Sequence, residues 1–125
     1  MYTVSVKRNF IAQHYLIGGD WGKENQLNSH HYHIEVIISG LELDNNGFLV
    51  DVVDIECNLN RIVDKYKDKT LNCFPEFSGI NPSIEHFSRI ACESLAKHIR
   101  TAGLNSITVK IYEDEYVSAS YQLKL

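Results

Sequence analysis

Paired cysteines are missing from this sequence. Cys57, Cys73 and Cys92 are odd in number and form no CxxC or CxC spacing, which gives no disulfide framework and predicts reduced thiols in a cytoplasmic protein. Long apolar runs are missing as well, so no segment is expected to span a bilayer. Positive charge is not in excess either. The 12 Lys and Arg stand against 16 Asp and Glu, a net charge of -4, and no electrostatic footprint suggests nucleic acid or an anionic membrane as partner. The opening MYTVSVKRNF alternates and carries basic residues inside the pattern, unlike a secretory signal. There is no repeat, linker or low-complexity segment. What remains is 125 residues, 44% hydrophobic and 22% charged, the size and composition of one ordinary globular domain spanning the chain.

Residue periodicity divides that domain. Tyr2, Val4 and Val6 alternate with Thr3, Ser5 and Lys7, predicting a half-buried strand that runs to Phe10 or Ala12. LIGGDWGKENQLNS is rich in Gly and Asn and reads as a loop, and HHYHIEVIISG predicts a second strand. Asn46-Gly47 predicts a turn, after which Phe48–Val50 resume extended structure. Ile55, Leu59, Ile62, Val63 and Tyr66 recur at helical spacing and predict a helix from about Val53 to Tyr66. Asn81 as N-cap, Pro82 at the first helical position and Glu85 in the first turn predict a second helix. Its buried stripe should be Ile84, Phe87, Ala91, Leu95 and His98, ending near Ala102-Gly103. Ile107, Val109 and Ile111 then alternate, and SASYQLKL supplies a last strand. The order β-β-α-α-β-β predicts an α+β domain, an antiparallel sheet with both helices on one face. Its other face must be wet or covered by a second copy, so a homo-oligomer is expected.

The stretch NSHHYHIEV, Asn28 to Val36, carries the chemistry, with three of the six histidines inside four residues. Residues two apart on a strand share a face with Cα atoms about 6.5 Å apart. His31 and His33 can therefore converge on one cation, while His30 and Tyr32 point the other way. His14, near the end of the first strand, is the candidate third ligand, and three imidazoles form a catalytic zinc set with one open position.

Phe10–His14, HHYHIEVIISG, GFLVDVVDIE, TLN, NPSIEHF and the late IYE follow one another in an order and spacing that define a resemblance. From end to end the chain resembles the 6-pyruvoyl-tetrahydropterin synthase and 6-carboxy-tetrahydropterin synthase family. The resemblance implies the tunnelling fold, in which sheets of neighbouring subunits join into a barrel, a trimer or hexamer with active sites between subunits. It implies zinc held by a histidine after strand one and by both histidines of a His-Gly-His motif, mapped onto His14, His31 and His33 with Tyr32 in place of glycine. It implies a pterin ring anchored by Glu113 and lined by Ser83 and Glu85, where the family has Pro-Thr-x-Glu-Asn. A carboxylate suits that ring because it accepts two N–H bonds side by side. Asp51, following the G-x-x-V strand, is read as structural, preparing the helix start.

Two departures stand out. The family's catalytic cysteine precedes the first histidine of the motif, and counting back four from His31 reaches Leu27. The family's Asp-His pair before Leu-Asn is here Lys67-Asp68 ahead of Leu71-Asn72. One reading is a zinc-dependent lyase acting on the side chain of a dihydropterin such as 7,8-dihydroneopterin triphosphate, with Glu24, His30 or Asp68 as base. Some family members use a glutamate in place of the cysteine and resemble lyases that cut the pterin side chain. The alternative is a non-catalytic homologue that binds zinc and pterin in a binding or regulatory role.

Overall fold

Alternation carries the first strand two residues past Ala12 and starts the second two residues before His30. The computed structural model of the chain describes residues Met1–Leu125. Strands β1 (Tyr2–His14), β2 (Asn28–Gly40), β3 (Ser106–Tyr112) and β4 (Ser118–Lys124) form one antiparallel sheet in the order β1-β2-β3-β4. Helices α1 (Val52–Tyr66) and α2 (Ile84–His98) connect β2 to β3. Both lie on the same face, α1 over β1 and α2 over β3 and β4. This is the expected α+β architecture. No helix is long and apolar enough to cross a membrane.

Register decides what meets at the functional end of the sheet. β1 pairs with β2 along its whole length, from Tyr2 opposite Gly40 to His14 opposite Asn28. β3 starts opposite Ser39 and stops at Tyr112 opposite His33. The ribbon made by Phe10–His14 and Asn28–Tyr32 therefore projects past β3, and Glu113 follows where β3 ends. A tight turn fixes Glu113: its N–H donates to Val117 O at 3.0 Å, and Asp114 Oδ1 accepts from the N–H groups of Tyr116 and Val117.

Beneath the ribbon lies an aromatic floor. Phe87 of α2 packs edge-on against Phe10, Tyr32, Tyr66 and Phe77, with centroids 5.1–6.0 Å apart. All five rings are buried in one continuous core. Full burial of so many rings gives the ribbon a stiff support.

The face away from the helices carries Lys7, Asn9, His31, His33, Glu35, Lys110 and Tyr112, all exposed or partly exposed. Ile11 and Ile37 share this face, which is otherwise mostly polar.

Helix α1 begins as read, with Asp51 as N-cap accepting from Val53 N at 3.0 Å. Helix α2 begins two residues later than expected. Its N-cap is Ser83, whose Oγ accepts from His86 N at 3.1 Å, because Asn81 Oδ1 is engaged by Ile17 N at 2.7 Å. The helix ends at His98, which is exposed, and Ile99 is buried in its place. Phe48–Val50 form no strand; Asp44 caps the Asn46-Gly47 turn, and the chain passes directly into α1.

Candidate metal centre and active site

The helix-facing side of the projecting ribbon carries His14, Asn28 and His30. His14 and Asn28 are directly opposite each other, and His30 is opposite Ala12. The rings of His14 and His30 meet edge-on with centroids 4.7 Å apart. His14 is almost fully buried; its Nδ1 lies 3.2 Å from the carbonyl oxygen of Pro82 and 3.4 Å from the Tyr32 hydroxyl. A carbonyl oxygen only accepts, so Nδ1 carries the proton and, in the neutral ring, Nε2 presents a lone pair. This is how a metal-ligating imidazole is usually oriented from behind.

Two carboxylates close on these rings. Glu113 Oε1 lies 3.2 Å from His30 Nε2. Glu24 Oε2 lies 3.5 Å from His14 Nε2 and 4.0 Å from His30 Nε2. Ligand atoms of His14, His30 and Glu113 all fall within 4.8 Å of one another, close enough for one ion. Three buried polar atoms lack any hydrogen-bond partner: His14 Nε2, His30 Nε2 and Asn28 Oδ1. Asn28 cannot relieve this by turning its amide over. Its Nδ2 donates to His14 O at 3.1 Å and to Gln26 O at 2.9 Å, and both are acceptors only. Orphaned buried acceptors cost about 1–3 kcal/mol each, and the two imidazole nitrogens here face carboxylates. A divalent cation is the group that such a set of donors fits.

The expected triad His14, His31 and His33 is not brought together within the chain. His31 and His33 stack against each other on the open face, centroids 4.7 Å apart, with His31 Nε2 3.0 Å from Asn9 Oδ1. The reason is the two-residue period of a strand: a one-residue displacement moves a side chain to the other face. His14 shares its face with His30, not with His31.

Glu24 is held by the loop joining β1 to β2. Its backbone carbonyl accepts from Leu16 N at 2.8 Å. The neighbouring Asn25 ties the loop at three points: Nδ2 donates to Leu16 O at 3.1 Å and Gly19 O at 2.9 Å, and Oδ1 accepts from Trp21 N at 2.7 Å. Nearby, burial raises the Tyr32 hydroxyl well above the usual tyrosine range, and the charges of Glu113 and Glu24 push it the same way. It therefore stays a proton donor or acceptor and not an anion.

The remaining candidates lie around this group. Ser83 caps α2 and Glu85 sits exposed in its first turn, on the segment that Pro82 fastens to His14. Asp68 is exposed just past α1, in a left-handed backbone conformation (φ 60°), its N–H donating to Ile11 O at 2.7 Å. It is not among the groups at the histidines. Asn28 and Asn25 were missed by the sequence reading. The face shared with His14 is the signal that would have found Asn28; Asn25 carries no signal outside its loop geometry.

A four-stranded antiparallel sheet with two helices on one face and a histidine–carboxylate cluster at its projecting end defines a small class of α+β proteins. The sequence matches the family described as 6-pyruvoyl tetrahydropterin synthase over residues 3–124, and the chain belongs to that family. No curated protein matches it in sequence. Among solved structures it resembles the 6-pyruvoyl tetrahydropterin synthase of Caenorhabditis elegans, 21% identical, covering 99% of this chain and 98% of that one with a TM-score of 0.82. It equally resembles a Plasmodium vivax 6-pyruvoyltetrahydropterin synthase with a catalytic glutamate exchanged for alanine, 14% identical over 99% and 98% of the chains, TM-score 0.82. A dihydroneopterin aldolase from Burkholderia, bound to guanine, is more distant: 9% identical over 98% and 88%, TM-score 0.50. The sheet is thus that of the tunnelling fold.

Proposed function

We propose that the chain is a metal-dependent lyase that cuts the side chain of a dihydropterin such as 7,8-dihydroneopterin triphosphate, with zinc as the ion and Glu24 as the base. The observation that carries this reading is the approach of Glu24 to both metal-capable histidines, 3.5 and 4.0 Å from their Nε2 atoms. His14 and His30 would hold the ion. A divalent cation bound there draws electron density from the side-chain hydroxyls of the substrate and eases the loss of their protons.

The shared face of His14, Asn28 and His30 sets a different frame on the family motif. Asn28-Ser29-His30 takes the place of His-Gly-His, where His31-Tyr32-His33 was expected. Four residues before Asn28 is Glu24, the position at which the family carries its cysteine. One shift of three residues thus accounts for the buried cluster and for the base together. A Plasmodium vivax synthase of the same fold has a catalytic glutamate, which supports a carboxylate in this role.

A single carboxylate favours cleavage over rearrangement. Glu24 would take one proton from a side-chain hydroxyl; as that oxygen becomes a carbonyl the adjacent carbon–carbon bond breaks, its electron pair passes into the ring C=N as an enamine, and the protonated Glu24 returns the proton to the pterin-side carbon. A synthase moves several protons, and the family's second base pair is here Lys67-Asp68, both exposed. Asp68→Asn is accordingly expected to keep activity. His30, offered by the sequence as a base, serves as ligand in this reading.

Ser83 and Glu85 line the ring, next to the ion because the Pro82 carbonyl holds His14. The resemblance gave Glu113 the ring as well, but its contact with His30 favours Glu85 as the carboxylate free for adjacent N–H donors. The outer strands β1 and β4 leave open edges. Copies joining along those edges would complete a homo-oligomer with sites between subunits.

Zinc-loaded protein is incubated anaerobically with 7,8-dihydroneopterin triphosphate, and products are followed by liquid chromatography and mass spectrometry. A dihydropterin short of side-chain carbons is expected. Loss of triphosphate with all carbons retained means a synthase, and intact substrate recovered on the protein means a binding module; either result overturns the lyase.

A further inference from the structure

We infer that the ion in this chain is held by two histidines and a carboxylate, with Glu113 as the third ligand and the amide oxygen of Asn28 as a fourth donor. The inference rests on the reading of His14 and His30 as a metal centre and goes beyond it. Three histidines cannot meet at this site, since the motif position opposite His14 is Asn28. The carboxylate nearest to the missing imidazole's partner is Glu113, 3.2 Å from His30 Nε2. The close approach makes no hydrogen bond, because His30 Nε2 has no partner by geometry. Two groups that touch without bonding are arranged for a third body between them.

Asn28 contributes through an orientation that the fold enforces. Both donors of its amide are spent on main-chain carbonyls, so its buried oxygen is left as the unpartnered atom. It stands on the same face as His30, two residues away, and across the sheet from His14. An amide oxygen is a neutral, hard donor, and a carboxylate adds the charge that an imidazole lacks. Against three imidazoles, this mixed set loses preference for zinc and gains for oxygen-loving divalent ions such as Mn²⁺ and Fe²⁺. The chemical class of the cofactor is therefore a first-row divalent cation with weak discrimination, not a zinc-selective site.

Metal-stripped protein is titrated with Zn²⁺, Mn²⁺ and Co²⁺, reading stoichiometry by equilibrium dialysis and the cobalt absorption spectrum for donor type. The wild type, Glu113→Gln, Asn28→His, the double variant and His14→Ala are compared, each with a circular dichroism check of folding. One ion per chain is expected in the wild type. Glu113→Gln should weaken zinc by at least about tenfold and alter the cobalt spectrum. Asn28→His should tighten zinc relative to manganese by at least about tenfold, and adding it to Glu113→Gln should restore zinc binding. Unchanged zinc affinity and cobalt spectrum in Glu113→Gln, with His14→Ala losing the ion, overturn the ligand set alone. An ion retained in His14→Ala, or none bound by the wild type, overturns the metal centre and this inference with it.

Discussion

Asn25→Ala tests the loop that carries Glu24, the proposed base, apart from the core and the proposed ion site. The side chain makes three hydrogen bonds, to Leu16 O, Gly19 O and Trp21 N, at 3.1, 2.9 and 2.7 Å. At about 1 kcal/mol each they sum to about 3 kcal/mol, and water replacing the more exposed ones reduces this to about 2 kcal/mol. No residue from Tyr15 to Leu27 is buried, so the loss falls on the order of the loop and not on the global fold. If the ordered loop must be recovered in each turnover, about 2 kcal/mol is about 30-fold in kcat. Steady-state kinetics, thermal unfolding and metal content are measured on one preparation. A kcat lower by about 10- to 100-fold is expected, with Tm shifted by less than about 3 °C and metal stoichiometry unchanged. A kcat within about threefold of wild type would show that Asn25 does not set the position of Glu24, and the loop argument would fall.

Other outcomes follow from the same geometry. Glu24→Gln keeps the shape and removes the proton acceptor, so kcat should fall by about 10²- to 10⁴-fold while the ion stays bound; residual activity above about a tenth of wild type would contradict its role. Phe87→Ala removes the ring at the centre of the aromatic floor, where the residue is fully buried. The expected loss is about 3–5 kcal/mol, about 10–20 °C in Tm by calorimetry, and a fall of under about 5 °C would mean the floor bears little load. Burial pushes the Cys92 thiol up to about 11, whereas Cys57 and Cys73 are exposed. A thiol reagent at pH 8 should label two sites per native chain by mass spectrometry and the third only after unfolding; rapid labelling of all three would place Cys92 at the surface.

Period-two and helical patterning carried the fold. Each strand and helix announced itself through residues such as Val4, Val6, Leu59 and Phe87, and the α+β order followed. Boundaries were less legible, since Asn81 and Ser83 are both good caps and only the competing bond to Ile17 decides between them. The site was half legible. His14 was offered by its place near the end of the first strand and Glu113 by resemblance, but three histidines in four residues offer two faces, and sequence alone does not say which face His14 shares. The register of β1 on β2 does. In the proposed frame, the same three-residue displacement moves the count of four residues back from Leu27 to Glu24. Asn28 escaped notice because an asparagine among histidines reads as a loop residue until both its donors are seen to be spent.

The most direct test is a crystal of the metal-loaded protein measured at the absorption edge of the bound ion, zinc first. One anomalous peak per chain is expected, bonded to Nε2 of His14 and Nε2 of His30 on the helix-facing side of the sheet. A peak bonded to His31 and His33 on the open face, or no peak at His14, would contradict this placement.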